Sequence, residues 1–246
     1  MKRFFLMTAI VAAISTTAFA QVSVGIQVGG NLAFTSLKYE TGNGNETAKV
    51  NTDPKFGFVA GLVSEFQLGP VSLRPELNFI QKGYKSSSSY FGGFTTTDNK
   101  ATLNYIELPL NVTFNVPSGG SHLFFGLGPV FSLGLSGKYK STGTFGNASQ
   151  ENTTDVKFDG DENANDDYIH LKRFDFGADV IAGYKLDGGF TVALGYTFGI
   201  SNILPKSSNN NSNDSYRNSG LALKVGYMFG GGSEKSSKSK TSTGTM

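Results

Sequence analysis

The sequence predicts an all-β chain: an eight-stranded antiparallel up-and-down transmembrane β-barrel with four long extracellular loops and three short periplasmic turns. Three observations predict it. Eight stretches alternate apolar and polar residues with period two, as half-buried strands do, over 22–37, 56–68, 71–84, 102–116, 122–139, 173–185, 190–201 and 219–229. Their connections alternate between long polar segments (38–55, 85–101, 140–172, 202–218) and short turns (69–70, 117–121, 186–189). Within the strands, one parity holds the large apolar side chains and the other holds glycines and charges.

The elements follow in chain order. Residues 1–20 read as an export signal: Lys2 and Arg3, an apolar run over 4–14, then small residues ending Ala18-Phe19-Ala20. That run is too short for a spanning helix, which needs roughly 20 residues, so cleavage after Ala20 is expected. Residues 21–229 then form the barrel domain, and 230–246 form a Gly, Ser, Thr and Lys-rich tail expected to be disordered. With both chain ends on the short-turn side, the tail is expected in the periplasm. No later apolar run approaches helical spanning length, so a membrane protein of this sequence spans by strands.

Composition narrows the function classes. The chain has no cysteine, which excludes a disulfide framework, a thiolate metal site and a lipid-modified N-terminus. Its net charge of +2 falls to near neutrality once Lys2 and Arg3 leave with the signal, so no nucleic-acid footprint is present. The 32 glycines are more telling. Those at 25, 29, 57, 61, 126, 128, 134, 177, 183, 195, 199, 220 and 226 share the parity of Glu65, Arg74, Glu76, Glu107, Asp175, Asp179 and Lys224. On a water-facing surface nothing requires glycine, whereas a narrow lumen has room only for small residues and a few paired ions. The apolar parity therefore faces lipid.

The seven lumen charges are the candidate site. They read as a structural plug of salt bridges in preference to a selectivity filter, since eight strands leave no wide channel. Pro75, Pro109 and Pro129 fall inside strands that a closed barrel pairs on both sides, so bulges or locally unpaired backbone are expected there. The loop 140–172 is acidic, but the calcium-loop pattern that starts at Asp159, Asp161 and Asn163 fails: Ala164 stands where glycine is needed and His170 where glutamate is needed. A solvated acidic loop is the expectation. His122 and His170 read as surface residues, and no Ser–His spacing suggests a nucleophile. Hence no catalytic, cofactor or metal site is expected. Tyr227 and Phe229 close the last strand as outward aromatics.

Several segments resemble a known family. Leu73-Arg74-Pro75-Glu76-Leu77, Gln81-Lys82-Gly83-Tyr84, Tyr105-Ile106-Glu107-Leu108-Pro109-Leu110, Gly126-Leu127-Gly128-Pro129 and Gly195-Tyr196-Thr197-Phe198-Gly199-Ile200 are similar to the PorT-like outer-membrane barrels of Bacteroidetes. The resemblance covers 22–229, makes Pro75 and Pro109 recurrent family features, and implies an outer-membrane location. Tyr227 and Phe229 resemble the terminal aromatic signal read by barrel assembly machinery, although the tail follows it. The family includes a protein linked to secretion, while most members have no defined role.

The expected function is that of a non-enzymatic outer-membrane barrel acting as an envelope scaffold or surface-recognition protein through its loops. The alternative is a narrow porin or an accessory of protein secretion. A soluble hydrophobic-ligand barrel is the third class, disfavoured by the glycine parity. Expected partners are outer-membrane lipid, barrel assembly machinery and an extracellular or envelope protein, with no nucleic acid.

Overall fold

Period-two alternation becomes strand in a computed structural model that describes residues 21–41, 46–160, 166–205 and 214–229. The export signal, the tail, residues 161–164 of the failed calcium pattern and most of the 207–215 loop lie outside the described residues. Eleven strands form: β1 (Gln21–Thr41), β2 (Glu46–Val50), β3 (Asp53–Leu68), β4 (Val71–Tyr90), β5 (Thr95–Ser118), β6 (Ser121–Phe145), β7 (Ala148–Lys157), β8 (Ile169–His170), β9 (Phe174–Lys185), β10 (Phe190–Gly199) and β11 (Ser215–Phe229). Eight of them close a ring in the order β1-β3-β4-β5-β6-β9-β10-β11, and β11 returns antiparallel to β1 with Val24 opposite Phe229. Closure leaves no unpaired edge in the ring, the condition for a sheet to stand in hydrocarbon.

The parity assignment holds around the ring. Val22, Val24, Ile26, Val28, Leu62, Leu77, Val112, Leu127, Val180, Leu194, Leu223 and Val225 are all exposed. This aliphatic band lies between two aromatic girdles. Phe66, Phe114, Phe125, Phe190, Tyr227 and Phe229 ring the short-turn side, and Phe34, Phe56, Phe58, Phe79, Phe131, Phe176 and Phe198 ring the other. From Val24 to Phe34 a strand rising about 3.3 Å per residue and tilted about 40° covers roughly 25 Å, the height of an outer-membrane apolar band. The inward glycines let strands approach closely: a Cβ on Gly128 would collide with the Leu110 carbonyl oxygen.

Each of the three prolines faces a break in the ladder on one side and stays paired on the other. The β3–β4 ladder skips Ser64 and Glu65 opposite Pro75 and Arg74, β4–β5 skips Glu76 and Leu77 opposite Pro109 and Leu108, and β5–β6 skips Leu110 and Asn111 opposite Pro129 and Gly128. Pro75 pairs instead with Leu110, Pro109 with Val130 and Pro129 with Ala178. Register is unchanged across all three breaks, so the backbone is locally unpaired there without being bulged. Register shifts occur elsewhere, between Asn104 and Tyr105 on β5 and between Pro54 and Val59 on β3.

The long connections differ from the expected polar loops. β4 and β5 stay paired to Tyr90 and Thr95, β6 and β5 to Phe145, and β7 adds to β6 from Phe145↔Ala148 to Gly137↔Val156. A four-stranded ribbon therefore projects beyond the barrel, and β2 forms a smaller hairpin with β1. The reason is that polarity on both faces signals water on both faces, not irregular backbone. The Thr-rich run 95–97 is a good strand former.

Above the polar lumen the structure builds its main apolar core. Leu37, Val59, Ile80, Tyr84, Ala101, Leu103, Tyr105 and Tyr216 come from the barrel walls, and Val156, Phe158, Leu171 and Ile203 fold in from the connections. Phe158 meets Tyr105 edge-on at 5.2 Å, and a Cβ on Gly134 would collide with the Phe158 ring. The extracellular mouth is thereby closed by an apolar cap.

Candidate functional site

Inward parity and the short radius of an eight-stranded ring bring the polar side chains of opposite walls into contact. All seven charges singled out from the sequence, Glu65, Arg74, Glu76, Glu107, Asp175, Asp179 and Lys224, are buried in the lumen. They fall into two layers. Near the short turns, Glu76 accepts from Lys224 at 2.5 Å and from Arg74 Nε at 3.2 Å, while Glu65 lies 3.8 Å from the Arg74 guanidinium. Gln27 and Asn78 donate to the same Glu76 carboxylate at 2.7 and 3.0 Å. Nearer the cap, Asn218 and Ser201 donate to Asp175 and Ser132 donates to Glu107.

Three cations were missed by the sequence reading. Lys82 sits between Glu107 at 2.7 Å and Asp175 at 3.8 Å, and Lys185 reaches Glu65 at 3.1 Å. Lys55 is buried at the rim, where it donates to the Phe56 carbonyl at 3.4 Å. All three have the inward parity. A charge count would have found them: the seven predicted residues are five carboxylates and two cations, an imbalance that a low-dielectric lumen does not tolerate. Asp179 is the lumen carboxylate that stands outside the ion pairs. Among the described residues no cation lies within 4.0 Å of it, and Asn111 and Thr197 donate to it at 2.9 and 3.2 Å.

The space left between these layers is a cavity of about 20 Å³, lined by Asn31, Asn78, Lys82, Glu107, Asp179 and Lys224 among others. That is room for about one water molecule. Among the described residues this stretch of the lumen is packed with ion pairs and amides.

The outer rim is chemically different. At the ribbon's end Tyr90, Phe91, Phe94 and Phe145 are all exposed, and Phe94 stacks edge-on against Phe145 at 4.8 Å. Phe91 is 88% exposed and holds a left-handed φ of 52°, the only positive φ among the described non-glycine residues. No charged residue occurs in 86–97 or 141–150. Lower on the ribbon, past the outer girdle, Lys85, Lys100 and Lys140 stand side by side in one cross-strand row.

The two histidines separate here. His122 lies by the short turns, and its Nε2 has no partner. His170, read from the sequence as a surface residue, is instead held between two aspartates, with Nδ1 2.7 Å from Asp159 Oδ1 and Nε2 2.8 Å from Asp166 Oδ1. Lys157 also donates to Asp166, at 2.9 Å, and caps the Tyr168 ring at 3.5 Å. Among the described residues no His, Asp and Glu cluster converges on a metal-sized point. Tyr227 packs against both Phe190 and Phe229 at 5.0 Å, on the lipid face of the closing strand.

Comparison with known proteins places this geometry. No curated protein matches the sequence. Among solved structures the chain is similar to the attachment invasion locus protein Ail of Yersinia pestis, solved in complex with the heparin analogue sucrose octasulfate (14% identity, 85% of this chain and 99% of that one, TM-score 0.36). It is also similar to Neisserial surface protein A (12%, 84% and 96%, 0.36) and to OprG from Pseudomonas aeruginosa (11%, 85% and 96%, 0.44). A family model described as the outer membrane protein beta-barrel domain matches residues 19–205. With that match over most of its length, the chain belongs to the outer membrane protein beta-barrel domain family.

Proposed function

We propose that this outer-membrane protein is a non-enzymatic recognition or scaffold barrel, in which a solid, ion-paired cylinder holds the outer ribbon rigidly above the membrane. The observation that carries the reading is the ribbon's tip. Four aromatic side chains stand in water there, one of them on a backbone conformation that costs of order 1–3 kcal/mol for a residue with a side chain. The tight turn Phe91–Gly93 imposes that φ, and glycine would hold it without strain; an aromatic kept there, exposed, serves contact with another molecule in this reading.

The partner in this reading is an extracellular or envelope protein. Outer-membrane lipid surrounds the aliphatic band, and the row of Lys85, Lys100 and Lys140 stands at the level where anionic headgroups begin. In the same reading the signal is cleaved after Ala20, Tyr227 and Phe229 present the terminal signal to barrel assembly machinery, and the relatives are the PorT-like barrels of Bacteroidetes. Cross-linking on intact cells followed by pull-down tests the proposal. The variant Tyr90→Ser, Phe91→Gly, Phe94→Ser, Phe145→Ser is expected to keep the heat-modifiable barrel and to lose the cross-linked partner. An unchanged set of cross-links would refute the role of the tip.

A further inference from the structure

We propose that the cap over the extracellular mouth is held shut by a proton: His170, doubly protonated between Asp159 and Asp166, latches the two segments that carry the cap residues Phe158 and Leu171.

The protonation state follows from geometry. An ionised carboxylate offers only acceptors, and a neutral imidazole has one donor nitrogen and one acceptor nitrogen. With both ring nitrogens within 2.8 Å of aspartate oxygens, a neutral ring would set a lone pair against a carboxylate. Only the imidazolium satisfies both contacts. The surroundings agree in direction: the hydrogen bonds to Asp166 and Asp159 raise the His170 pKa above its ordinary 6.5, and those from His170 and Lys157 hold Asp166 down at about 2. The His170 side chain is 10% exposed, so the proton is sheltered but exchangeable.

The latch is joined to the cap by strand alternation. On β7 and just past it, Lys157 and Asp159 point to the latch while Phe158 points into the mouth; on the facing segment His170 is in the latch and Leu171 in the mouth. The backbone ties the pair together: Leu171 N–H donates to the Lys157 carbonyl at 2.9 Å and Gly160 N–H to the Leu171 carbonyl at 3.0 Å. Arg173 Nε fastens the Phe158 carbonyl at 2.9 Å. Among the described residues the charged and titratable groups around His170 are Asp159, Asp166, Lys157 and Tyr168. The neighbouring 202–203 segment contributes apolar Ile203 and turns Lys172 away, to the Asn202 carbonyl at 3.1 Å. β11 contributes the buried Tyr216.

The sign follows from linkage. A histidine whose folded pKa is raised adds stability that is complete below about 6.5 and is lost as pH rises through the raised value. Asp166, with its lowered pKa, adds stability above the ordinary carboxylate range that is lost as pH falls toward 2. The cap is therefore tight below about pH 6.5 and loosens as pH rises through the raised His170 pKa, while the ion-paired lumen beneath stays in place.

Because the chain has two histidines, the variant His122→Gln leaves a single ring signal for an NMR titration of the full barrel in micelles. The His170 midpoint is expected above 6.5, and Asp166→Asn should move it down. Hydrogen exchange of the Gly160 and Leu171 amides, corrected for the chemical exchange rate, reads the cap itself. Exchange should rise between roughly pH 6 and pH 8.5 in the wild type, by about tenfold for each unit by which the folded His170 pKa exceeds the unfolded one, and level off once the proton is gone. In His170→Gln it should be fast at both pH values. A midpoint at or below 6.5, a pH-independent wild-type cap, or a His170→Gln variant that keeps the wild-type response would each overturn the proposal.

Discussion

Glu76 is the residue on which most of the lumen converges. It takes two cations and two amide donors at one carboxylate, all of them out of water. Removing one partner of a buried ion pair costs about 3–5 kcal/mol, because the other partner is left uncompensated. Glu76→Ala should therefore lower the unfolding free energy of refolded barrel by that amount, obtained from urea titration read on the heat-modifiable band. Glu151→Ala breaks a pair of similar length, 2.6 Å to Lys140, whose side chains are about half exposed. That change should cost less than about 1 kcal/mol, since water screens the pair and solvates the lysine left behind. Equal effects would mean that burial is not what makes the lumen pairs matter. At this scale the sequence was legible only in part. Parity located every inward carboxylate, but Lys82 and Lys185 were passed over because each sits at a strand's end, where a lysine is easily read as solvated.

At the scale of the element, strand existence was legible and strand length was not. Alternation marks where one face meets lipid, so the apolar stripe on β4 ends near Phe79 and the element seems to end with it. Backbone pairing has no such limit, and β4 and β5 continue as a polar ribbon whose two faces are both wet. Phe91, Phe94 and Phe145 were invisible as a group for the same reason, since only pairing of β5 with β6 brings residues 94 and 145 together. The ribbon's upper part contributes nothing to the lumen core. Replacing residues 86–99 by a two-residue turn should preserve heat-modifiability and leave the urea-derived unfolding free energy within about 0.5 kcal/mol of wild type, the ordinary range for changes outside the packed interior. A barrel that failed to fold after this trimming would show that the ribbon is part of the folding unit.

For the whole molecule, the ring count came from the eight period-two stretches and their connections, and the inward and outward faces from the glycine and charge parity, because a narrow cylinder imposes that parity at every position. The cap was not legible. Phe158, Leu171 and Ile203 lie in segments with no periodicity, and only the fold shows that they meet over the mouth. Among the described residues the cap and the ion-pair layers fill the middle and outer lumen around a cavity of about 20 Å³. Planar bilayers containing the purified barrel at neutral pH should show no large, stable conductance steps. Steps that persist in the wild type would reinstate the porin reading.

The proline breaks carry a consequence for how this cylinder deforms. Residues 64–65 beside 74–75, 76–77 beside 108–109 and 110–111 beside 128–129 lie on consecutive strand pairs, so the three gaps form one oblique crease across β3 to β6. The opposite wall, from β9 through β10 and β11 to β1, is stitched without such interruption. Lateral pressure from the bilayer then meets one stiff half and one pliant half. The cross-section yields toward an ellipse by folding along the crease, and Arg74, Glu76 and Asn111, all at its margin, are the lumen groups that move when it does.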